Sequence, residues 1–290
     1  MKVPVKVDGR ALTLSNLDKV LYPEYGFTKA EVIDYYSRVA PVLLPHLLGR
    51  PLTVKRFPNG VAGPSFFEKN APDHTPGWVR RVRLPAPGST KNRETIDFAV
   101  IDDLPTLVYY ANLAALELHV PQWRVDEDGR ALPPDTLVFD LDPGPPATIV
   151  ECCRVALLLR EVLQEEGLTA RPKTSGSKGL QLYADWDCRE KPSAYAKRLA
   201  QRLEKEHPKE IVSVMARKAR PGKVFIDWSQ NNPAKTTVAP YSLRAQERPT
   251  VSTPLRWEEV EGCEHAEELV FLAPDVLARA EKRGDLFGRA

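Results

Sequence analysis

Hydrophobic and polar residues alternate along the chain with two different periods, and the helical period is clearest after Thr28. Apolar residues there recur at spacings of three and four, which places them on one face of a helix. Thr28 and Glu31 have the spacing of a capping box, in which each side chain bonds the backbone N–H of the other residue. We expect this helix to begin after Thr28 and to end before Pro45 or Gly49.

The same period predicts three further helices. Their bounds are 103–118, 147–166 and 193–207. Pro105 lies in the first turn of the first of these, where the missing N–H of proline costs little, and His119 lies at its exit. The remainder of the chain after Arg244 is expected to be helical and charged.

Short runs rich in β-branched and aromatic residues predict strands, especially where turn residues bound them. The predicted strands are 52–57, 136–142, 169–173, 180–183, 211–215 and 223–228. The segment 12–22 is less regular and is interpreted as a short strand or a turn.

Composition changes this picture little, because 42% hydrophobic and 28% charged residues are ordinary values for a soluble globular protein of 290 residues. The formal net charge is only +2, but the positive residues are clustered. Such clusters fit a surface that faces nucleic acid, although most charge runs are simply solvated. The two basic runs are Arg80, Arg81, Arg83, Lys91 and Arg93, and Arg217, Lys218, Arg220 and Lys223.

The cysteines and histidines have no spacing typical of a zinc site. The four cysteines contain no C-x-x-C pair, and Cys152 and Cys153 lie in an apolar helical pattern typical of core residues. The first residues lack the apolar segment of a signal peptide, and no apolar run approaches the roughly 20 residues that cross a bilayer. We therefore expect a reduced, cytoplasmic protein with no membrane contact.

Two acids at the end of one predicted strand are the first candidates for chemistry. Asp140 and Asp142 are two residues apart, so their side chains point to the same face, and Pro143-Gly144 ends the strand. Neighbouring carboxylates repel each other unless a cation lies between them, and Mg²⁺ or Mn²⁺ prefers carboxylate oxygens. The alternative for this segment alone is a polar strand end with both acids solvated. Asp227 would supply a third carboxylate, because an acid inside an apolar strand is costly unless it is paired or metal-bound.

The loop Thr174–Gly179 is a candidate for phosphate binding. Its serines and glycines offer hydroxyls and backbone N–H groups to phosphate oxygens, and Lys178 offers one cation. The spacing is not that of a Walker A loop or a G-x-G-x-x-G loop. A plain hairpin turn is the alternative interpretation.

Lys29 and the adjacent rings of Phe66 and Phe67 are weaker candidates for contact with nucleic acid. Lys29 lies on the first turn of a capped helix, where free N–H groups and the macrodipole favour an anion. An ordinary surface lysine is the simpler interpretation of this residue. One of two neighbouring phenylalanines on a strand must face away from the core, where its ring can stack on a base or join a second core layer.

Together, several segments resemble the polymerase domain of bacterial DNA ligase D, the repair branch of the archaeo-eukaryotic primase superfamily. The resemblance extends from Leu12 to about Leu286. The segments that carry it most specifically are DLDPG at 140–144, TSGSKG at 174–179, KVFIDWSQN at 223–231 and APYSLR at 239–244. Upstream segments that agree with it are LDKVLYP at 17–23, KRFPNG at 55–60, FFEK at 66–69 and LHVPQW at 118–123.

The resemblance implies roles for individual residues. Asp140, Asp142 and Asp227 would be the catalytic residues and would bind two divalent metal ions, Mn²⁺ or Mg²⁺. The residues implied to hold the incoming nucleoside triphosphate are Lys55, His119, Ser175, Lys178, Gly179, Gln230 and Arg244. The residues implied to grip a downstream DNA 5′ phosphate, or to stack on the DNA there, are Lys19, Lys29, Phe66 and Phe67.

The resemblance also implies an α/β (α+β) fold of the archaeo-eukaryotic primase type, with an RRM-like catalytic sheet packed on an N-terminal α/β module. One domain, residues 1–290, would contain an N-terminal module of about 1–123 and a catalytic module of about 124–290 around a shared core. The chain departs from the family at Gln181, where many members have a histidine. A neutral amide can form hydrogen bonds but cannot carry a charge, which puts a cationic role at this position in doubt.

The function implied is a template-dependent DNA/RNA polymerase (nucleotidyltransferase) of bacterial non-homologous end joining. It would fill short gaps and extend broken ends, with a preference for ribonucleotides. Its expected partners are gapped or broken DNA with a 5′ phosphate, NTP or dNTP, Ku and a DNA ligase, in a nucleoid-associated setting. Two other classes compete: a non-catalytic module that bridges DNA ends has no need of three clustered acids, and a two-metal nuclease has no need of a triphosphate loop.

Overall fold

The computed structural model describes residues 2–86 and 94–288, so Lys91 and Arg93 of the first basic run lie outside the described residues. Its strands, numbered in chain order, are β1 (Lys2–Val7), β2 (Arg10–Ser15), β3 (Val20–Tyr22), β4 (Phe27–Thr28), β5 (Thr53–Arg56), β6 (Phe66–Glu68), β7 (Arg81–Pro85), β8 (Thr95–Ala99), β9 (Ala115–Val120), β10 (Trp123–Val125), β11 (Ala131–Pro134), β12 (Thr136–Pro143), β13 (Ala170–Thr174), β14 (Leu180–Asp185), β15 (Ile211–Val212), β16 (Val224–Asp227) and β17 (Thr237–Val238). Its α-helices are α1 (Lys29–Leu47), α2 (Leu104–Asn112), α3 (Ile149–Glu165), α4 (Pro192–Glu206), α5 (Trp257–Glu261) and α6 (Ala273–Arg283). Short 3₁₀ segments span Arg217–Ala219, Trp228–Asn231 and Ala266–Leu269.

A five-stranded sheet in the order β13-β14-β12-β16-β15 organises the second half of the chain. Its neighbouring strands are antiparallel, except that β15 and β16 are parallel. Side chains alternate along β12, so Leu137, Phe139 and Leu141 share one face and join the buried cluster formed with α3 and α4. Asp140 and Asp142 consequently project from the opposite face.

A second, four-stranded sheet in the order β17-β9-β5-β6 belongs mostly to the first half of the chain. Apolar side chains of α1 and α2 form a large core together with those of β5 and β9. Val138 and Tyr183 of the five-stranded sheet belong to this same core. Because Val138 shares a face with Asp140 and Asp142, the carboxylate face is turned toward the N-terminal half of the chain.

Helix α1 begins as predicted, with both bonds of the Thr28–Glu31 capping box formed. It continues through Pro41 and Pro45 to Leu47, so the expectation that it ends before Pro45 is wrong and the bound at Gly49 is correct. Each internal proline removes one helical hydrogen bond. The continuous buried face of the helix, packed into the core, offsets that loss.

The predicted helix 103–118 is wrong in its second half. Helix α2 ends at Asn112, Ala114 takes a positive φ of 56°, and the chain continues as strand β9. The hydrophobic pattern of residues 107–118 fits a buried helix and a buried strand equally well. Pairing of β9 with β5 and β17 makes the second part of this run a strand. His119 therefore lies on a strand and not at the exit of a helix.

The other predictions are correct except near the C-terminus and at β15. Helices α3 and α4 lie within two residues of their predicted bounds, and Cys152 and Cys153 are buried. Strand β15 stops at Val212, where Ser213 turns to bind the Glu204 carboxylate. The segment after Arg244 is only partly helical, because residues 250–254 form isolated β-bridges before the short helices α5 and α6. Within the described part of the chain, no helix is both long and apolar enough to cross a membrane.

Asn231 completes the five-stranded sheet at a point where a strand is missing. Strand β16 pairs with β12 only from Asp140 to Pro143, so Val138 has no β16 partner. The Asn231 side chain replaces it, since its Oδ1 accepts from Val138 N at 2.8 Å and its Nδ2 donates to Val138 O at 2.7 Å. The buried amide thus extends the sheet by one residue and anchors the 3₁₀ turn that follows Asp227.

We predict that Asn231→Leu lowers the free energy of unfolding by about 2–5 kcal/mol, because it leaves two buried backbone groups of Val138 without partners. Urea unfolding followed by circular dichroism measures the change. Asn232→Leu is the matched control, since Asn232 is exposed and loses only the bond from the Ala234 N–H at 2.9 Å, so its change is expected to be about 1 kcal/mol or less. Equal stability of Asn231→Leu and wild type would show that this bridge adds nothing.

Candidate active site

Four polar side chains form one row across the five-stranded sheet. The strand register places Lys173 opposite Gln181, Gln181 opposite Asp140, and Asp140 opposite Asp227. Directly opposed side chains in antiparallel strands have Cβ atoms roughly 5 Å apart and point to the same face. Asp142 lies on that face two residues further along β12, so three acids converge on one end of the sheet.

Burial disfavours the charged forms of the two acids on β12, and a bound cation would offset this effect. Burial, reinforced by the charge of Asp142, raises the pKa of Asp140 to about 7, although the hydrogen bond from Gln181 opposes the rise. Burial also raises the pKa of Asp142, against the nearby positive charge of Lys178. Both shifts disfavour the charged forms, and a divalent ion is the ligand that stabilises paired carboxylates most directly.

Asp227 is held by the turn that follows it. Ser229 donates its N–H and its hydroxyl to Oδ1 at 3.0 and 2.5 Å, and Gln230 Nε2 donates to Oδ2 at 2.8 Å. In residues 2–86 and 94–288, no three acidic, histidine or cysteine side chains are gathered closely enough to hold a metal ion as they stand. The donor chemistry still suits a divalent ion, because no described group donates a hydrogen bond to the Asp142 carboxylate. Among the described residues Asp227 Oδ2 accepts only the Gln230 bond, so one of its lone pairs remains available to a metal ion.

Glycines let neighbouring segments approach the acids closely. A Cβ added to Gly144 would lie 2.1 Å from the carbonyl oxygen of Arg220, and one added to Gly179 would lie 2.3 Å from that of Leu141. The first contact brings the basic loop 216–222 against the end of β12, where Arg220 also stacks over the Phe225 ring at 3.7 Å. The second brings the loop 174–179 directly beside the carboxylates.

The loop 174–179 is closed by its own serine. Ser175 Oγ accepts from the N–H groups of Ser177 and Gly179 at 3.2 and 3.1 Å, and the Ser175 N–H donates to the Gly179 carbonyl at 2.8 Å. Arg244 donates a hydrogen bond to the Ser175 carbonyl, so its guanidinium lies beside this loop. Lys178 stands exposed at the tip, with its charge reaching Asp142. The predicted phosphate-binding residues of this loop and Arg244 are thus brought together beside the acids.

Glu117, which the sequence reasoning missed, links two predicted nucleotide contacts. Its Oε2 lies 2.9 Å from His119 Nε2, while its Oε1 accepts from Ala245 N at 3.1 Å and lies 3.3 Å from Arg244 Nε. Burial alone would raise the pKa of Glu117, but the His119 bond and the Arg244 charge outweigh it and lower the pKa to about 2. An acid within the apolar run of β9 was a usable signal, the same one that singled out Asp227.

Lys55, Phe67 and His119 form a second group on the four-stranded sheet. The Phe67 ring meets the His119 ring edge-on at 5.6 Å, and Lys55 Nζ lies 5.6 Å from the centre of the Phe67 ring. The family resemblance assigns Phe67 to the DNA 5′-phosphate group, but its ring lies against His119 and Lys55, which are predicted to contact the nucleotide. Gln230, by contrast, bonds the acid Asp227.

Phe66 and Phe67 are both exposed, at 45% and 60% of their surface. The expectation that one ring faces away from the core is met, and in fact both rings do. Strand β6 is the outer strand of its sheet, and both of its aromatic residues reach solvent. The second-core-layer interpretation is excluded, and two rings remain available for stacking.

The interpretation of the α1 terminus as an open anion site is wrong. The N–H groups of Lys29 and Ala30 donate to the carbonyls of Lys19 and Leu17 at 2.8 and 2.9 Å, and the capping box takes the next one. The preceding segment of the chain has thus already used the donors of the first turn. Any anion here would depend on side chains and not on the helix terminus.

The side chains of Lys19 and Lys29 do lie in one positive region. Lys29 is buried with Nζ 2.6 Å from the carbonyl of Ser15, and Lys19 Nζ lies 2.9 Å from Asn59 Oδ1. Burial, followed by the charges of Lys19 and Arg56, lowers the pKa of Lys29 to about 8. The charges of Lys19 and Arg56 disfavour the charged form of Lys29, even though Arg56 is also paired with Glu68 at 2.9 Å, and an anion beside Lys29 would stabilise that form.

The family assignment rests on most of the chain. A family model described as LigD, primase-polymerase domain, matches residues 28–287. The chain belongs to this family. The resemblance, the mixed α/β fold class and the assignment as an enzyme are thereby confirmed, since LigD primase-polymerase domains are nucleotidyltransferases.

Individual relatives agree with the family assignment. The chain is 46% identical over 276 residues to the multifunctional non-homologous end joining protein LigD of Mycolicibacterium smegmatis, covering 94% of this chain and 35% of that protein. It is 32% identical over 277 residues to the bifunctional LigD of Bacillus subtilis, covering 94% and 43%. The polymerase domain from Mycobacterium tuberculosis ligase D, solved in complex with DNA, matches with a TM-score of 0.88 and 43% identity over 95% of this chain and 96% of that one. The chain thus spans less than half the length of the M. smegmatis and B. subtilis LigD proteins.

The raised pKa of Asp140 generates a stability prediction. A carboxyl group whose folded pKa is about 7 holds its proton more tightly when folded, so stability falls as pH rises from about 4 to 7. We expect Asp140→Asn to raise the free energy of unfolding by roughly 2–4 kcal/mol at pH 8 without divalent ions, and by less at pH 5. Urea unfolding at both pH values measures this, with Asp187→Asn, an exposed acid, as control. An equal effect at pH 5 and pH 8 would show that Asp140 does not titrate in this range.

Proposed function

We propose that this chain is a template-dependent polymerase of non-homologous end joining, which fills short gaps and extends broken DNA ends by two-metal catalysis. The observation that carries the proposal is the convergence of Asp140, Asp142 and Asp227 on one face of the sheet, beside the loop 174–179. Family membership supports the polymerase chemistry, and the M. tuberculosis relative, solved with DNA, supports DNA as partner.

The three acids would hold the two divalent ions, Mn²⁺ or Mg²⁺, which when bound lower the pKa of a 3′ hydroxyl and stabilise the pyrophosphate that leaves. The chain's own contribution is to bind and orient the nucleotide. Lys178 at the loop tip and Arg244 beside Ser175 would pair with triphosphate oxygens through charge-assisted hydrogen bonds. Glu117 would keep Arg244 and His119 in place, because its carboxylate contacts both.

The preference for ribonucleotides is part of this proposal and rests on the resemblance to the family. Ku and a DNA ligase as partners also rest on the resemblance. They are supported by relatives named as end joining proteins, although this chain matches only about a third of the length of the M. smegmatis protein. Primer extension with each nucleotide type, at equal concentrations, tests the sugar preference. A clear preference for deoxyribonucleotides would remove that part of the proposal.

For the acids, we predict that Asp142→Asn reduces nucleotide addition to a primer-template by more than the 10–100-fold that loss of an outer-shell partner costs. DNA binding should persist, because the substitution removes a negative charge from the site. Asp187→Asn is the control and should extend primers like wild type, since Asp187 is exposed. Near wild-type extension by Asp142→Asn would remove Asp142 from the metal site.

We also propose that Lys19 and Lys29 bind the 5′ phosphate on the far side of a gap. The support is the position of Lys29, whose pKa is lowered first by burial and then by the charges of Lys19 and Arg56. Phe66, whose ring lies 5.3 Å from the Arg56 guanidinium, would stack on DNA nearby. Phe67 would do the same on the side of Lys55.

We predict that gapped DNA with a 5′ phosphate binds about tenfold more tightly than DNA with a 5′ hydroxyl at pH 7, because hydrogen bonds to charged groups are worth roughly 1.5–3 kcal/mol. The preference should weaken between pH 7 and pH 9, since Lys29 loses its charge near its lowered pKa of about 8. Lys19→Ala/Lys29→Ala should erase the preference at both pH values.

The measurement is a binding titration of both DNAs at one fixed salt concentration. Lys205→Ala/Lys209→Ala is the matched control, because it removes the same charge from exposed positions on and after α4. If wild type binds both DNAs equally, or if both double variants lose the preference alike, these two lysines have no specific role at the phosphate.

A further inference from the structure

Lys173 is a fully buried lysine with no acidic partner within ion-pair distance among the described residues, and burial, followed by the charge of Arg244, lowers its pKa well below the usual value. It lies on β13, and its Nζ donates to Gln181 Oε1 at 2.5 Å and to Ser252 Oγ at 2.6 Å. Both acceptors are neutral, the centre of the Tyr183 ring lies 5.3 Å away, and the charges of Arg244 and Asp140 also act on Lys173. Burial of an ammonium group among neutral partners costs free energy, which favours a role for Lys173 beyond packing.

The amide of Gln181 connects this lysine to a catalytic acid. Its Oε1 accepts from Lys173, and its Nε2 donates to Asp140 Oδ1 at 2.9 Å. The amide turns Oε1 toward Lys173 and Nε2 toward Asp140, and each end meets a complementary partner when Lys173 is protonated and Asp140 is ionised, as metal binding would require. A flipped amide would place donor against donor and acceptor against acceptor.

The three residues are neighbours in one row of the sheet. Lys173, Gln181 and Asp140 occupy directly opposed positions on β13, β14 and β12, so their spacing is set by the strand register. Ser252 fixes the far end, since its hydroxyl also donates to the Thr174 carbonyl at 2.8 Å. The row therefore begins on the rigid backbone of β13 and ends at one oxygen of Asp140.

We propose that Lys173 is a positioning residue for Asp140 and acts through Gln181. By fixing the amide, it directs one N–H to Oδ1 of Asp140, which sets the rotation of the carboxylate and leaves Oδ2 for a divalent ion. Gln181 on β14 is then an oriented bridge between Lys173 on β13 and Asp140 on β12. This inference rests on the proposed metal-dependent function of the three acids.

The first test is a titration of the whole protein with Mn²⁺ alone, without DNA or nucleotide, followed by calorimetry. Lys173→Met keeps the length and packing of the side chain and removes the donor, so the Kd for Mn²⁺ should rise about 10–100-fold, as for other outer-shell partners of a metal ligand. Arg171→Met is the matched control, because Arg171 lies on the same strand and pairs with Asp185, away from the acids. Its Kd should equal that of wild type.

The second test separates positioning from general loss of structure. In a Gln181→Met background, Lys173→Met should cause no further rise in the Kd, because the bridge is already broken. Full, multiplicative effects of the two substitutions would overturn the proposal. Thermal unfolding checks that each variant is folded. If Lys173→Met does not fold, Gln181→Met alone decides: a 10–100-fold higher Kd supports the proposal and an unchanged Kd overturns it.

Failure of this inference and failure of the proposed function give different results. If wild type binds Mn²⁺ and Asp142→Asn does not, the function stands, and an unchanged Kd in Lys173→Met overturns only the positioning role. If wild type binds Mn²⁺ no better than Asp142→Asn does, the metal dependence of the three acids is wrong, and the role of Lys173 falls with it.

Discussion

Repulsion between carboxylates on one face of a sheet is the constraint on which the site depends. Asp140 and Asp142 share a face of β12, Asp227 faces Asp140 from β16, and burial weakens the screening between them. Each neighbouring feature offsets part of this repulsion: Gln181 donates to one acid, Ser229 and Gln230 to another, and Lys178 supplies charge near the third. The arrangement suits a chain that binds cations at this point.

The two halves of the chain meet on the carboxylate face, and this determines what the acids can reach. Helices α3 and α4 cover the other face with a purely apolar cluster, so the acids open toward the four-stranded sheet that carries Lys55, Phe67 and His119. Glu117 reinforces this connection, because it lies on β9 and contacts Arg244 beside the loop 174–179.

The sequence predicted the strands with the three acids, the serine-glycine loop and most helices, because each has a strong local pattern. It did not predict β9, since the apolar run 107–118 has no distinguishing period and only pairing with β5 makes it a strand. The closed terminus of α1 was missed for the same reason, because the carbonyl of Lys19 that occupies it is ten residues away. No local pattern distinguishes Lys173 at the end of its predicted strand, and only strand register shows that it stands in line with Gln181 and Asp140.

The exposed rings of β6 have a consequence for the protein when it is free of any partner. An outer strand that presents apolar side chains is a template for pairing with another chain and hence for aggregation. Here the neighbouring strand β5 sets a cation over each ring, Lys55 over Phe67 and Arg56 over Phe66. Like charges on approaching copies oppose edge-to-edge association, while a polyanion is attracted to the same surface. The charge of Lys55 opposes edge-to-edge pairing at β6 without covering the rings, whereas that of Arg56 is paired with Glu68.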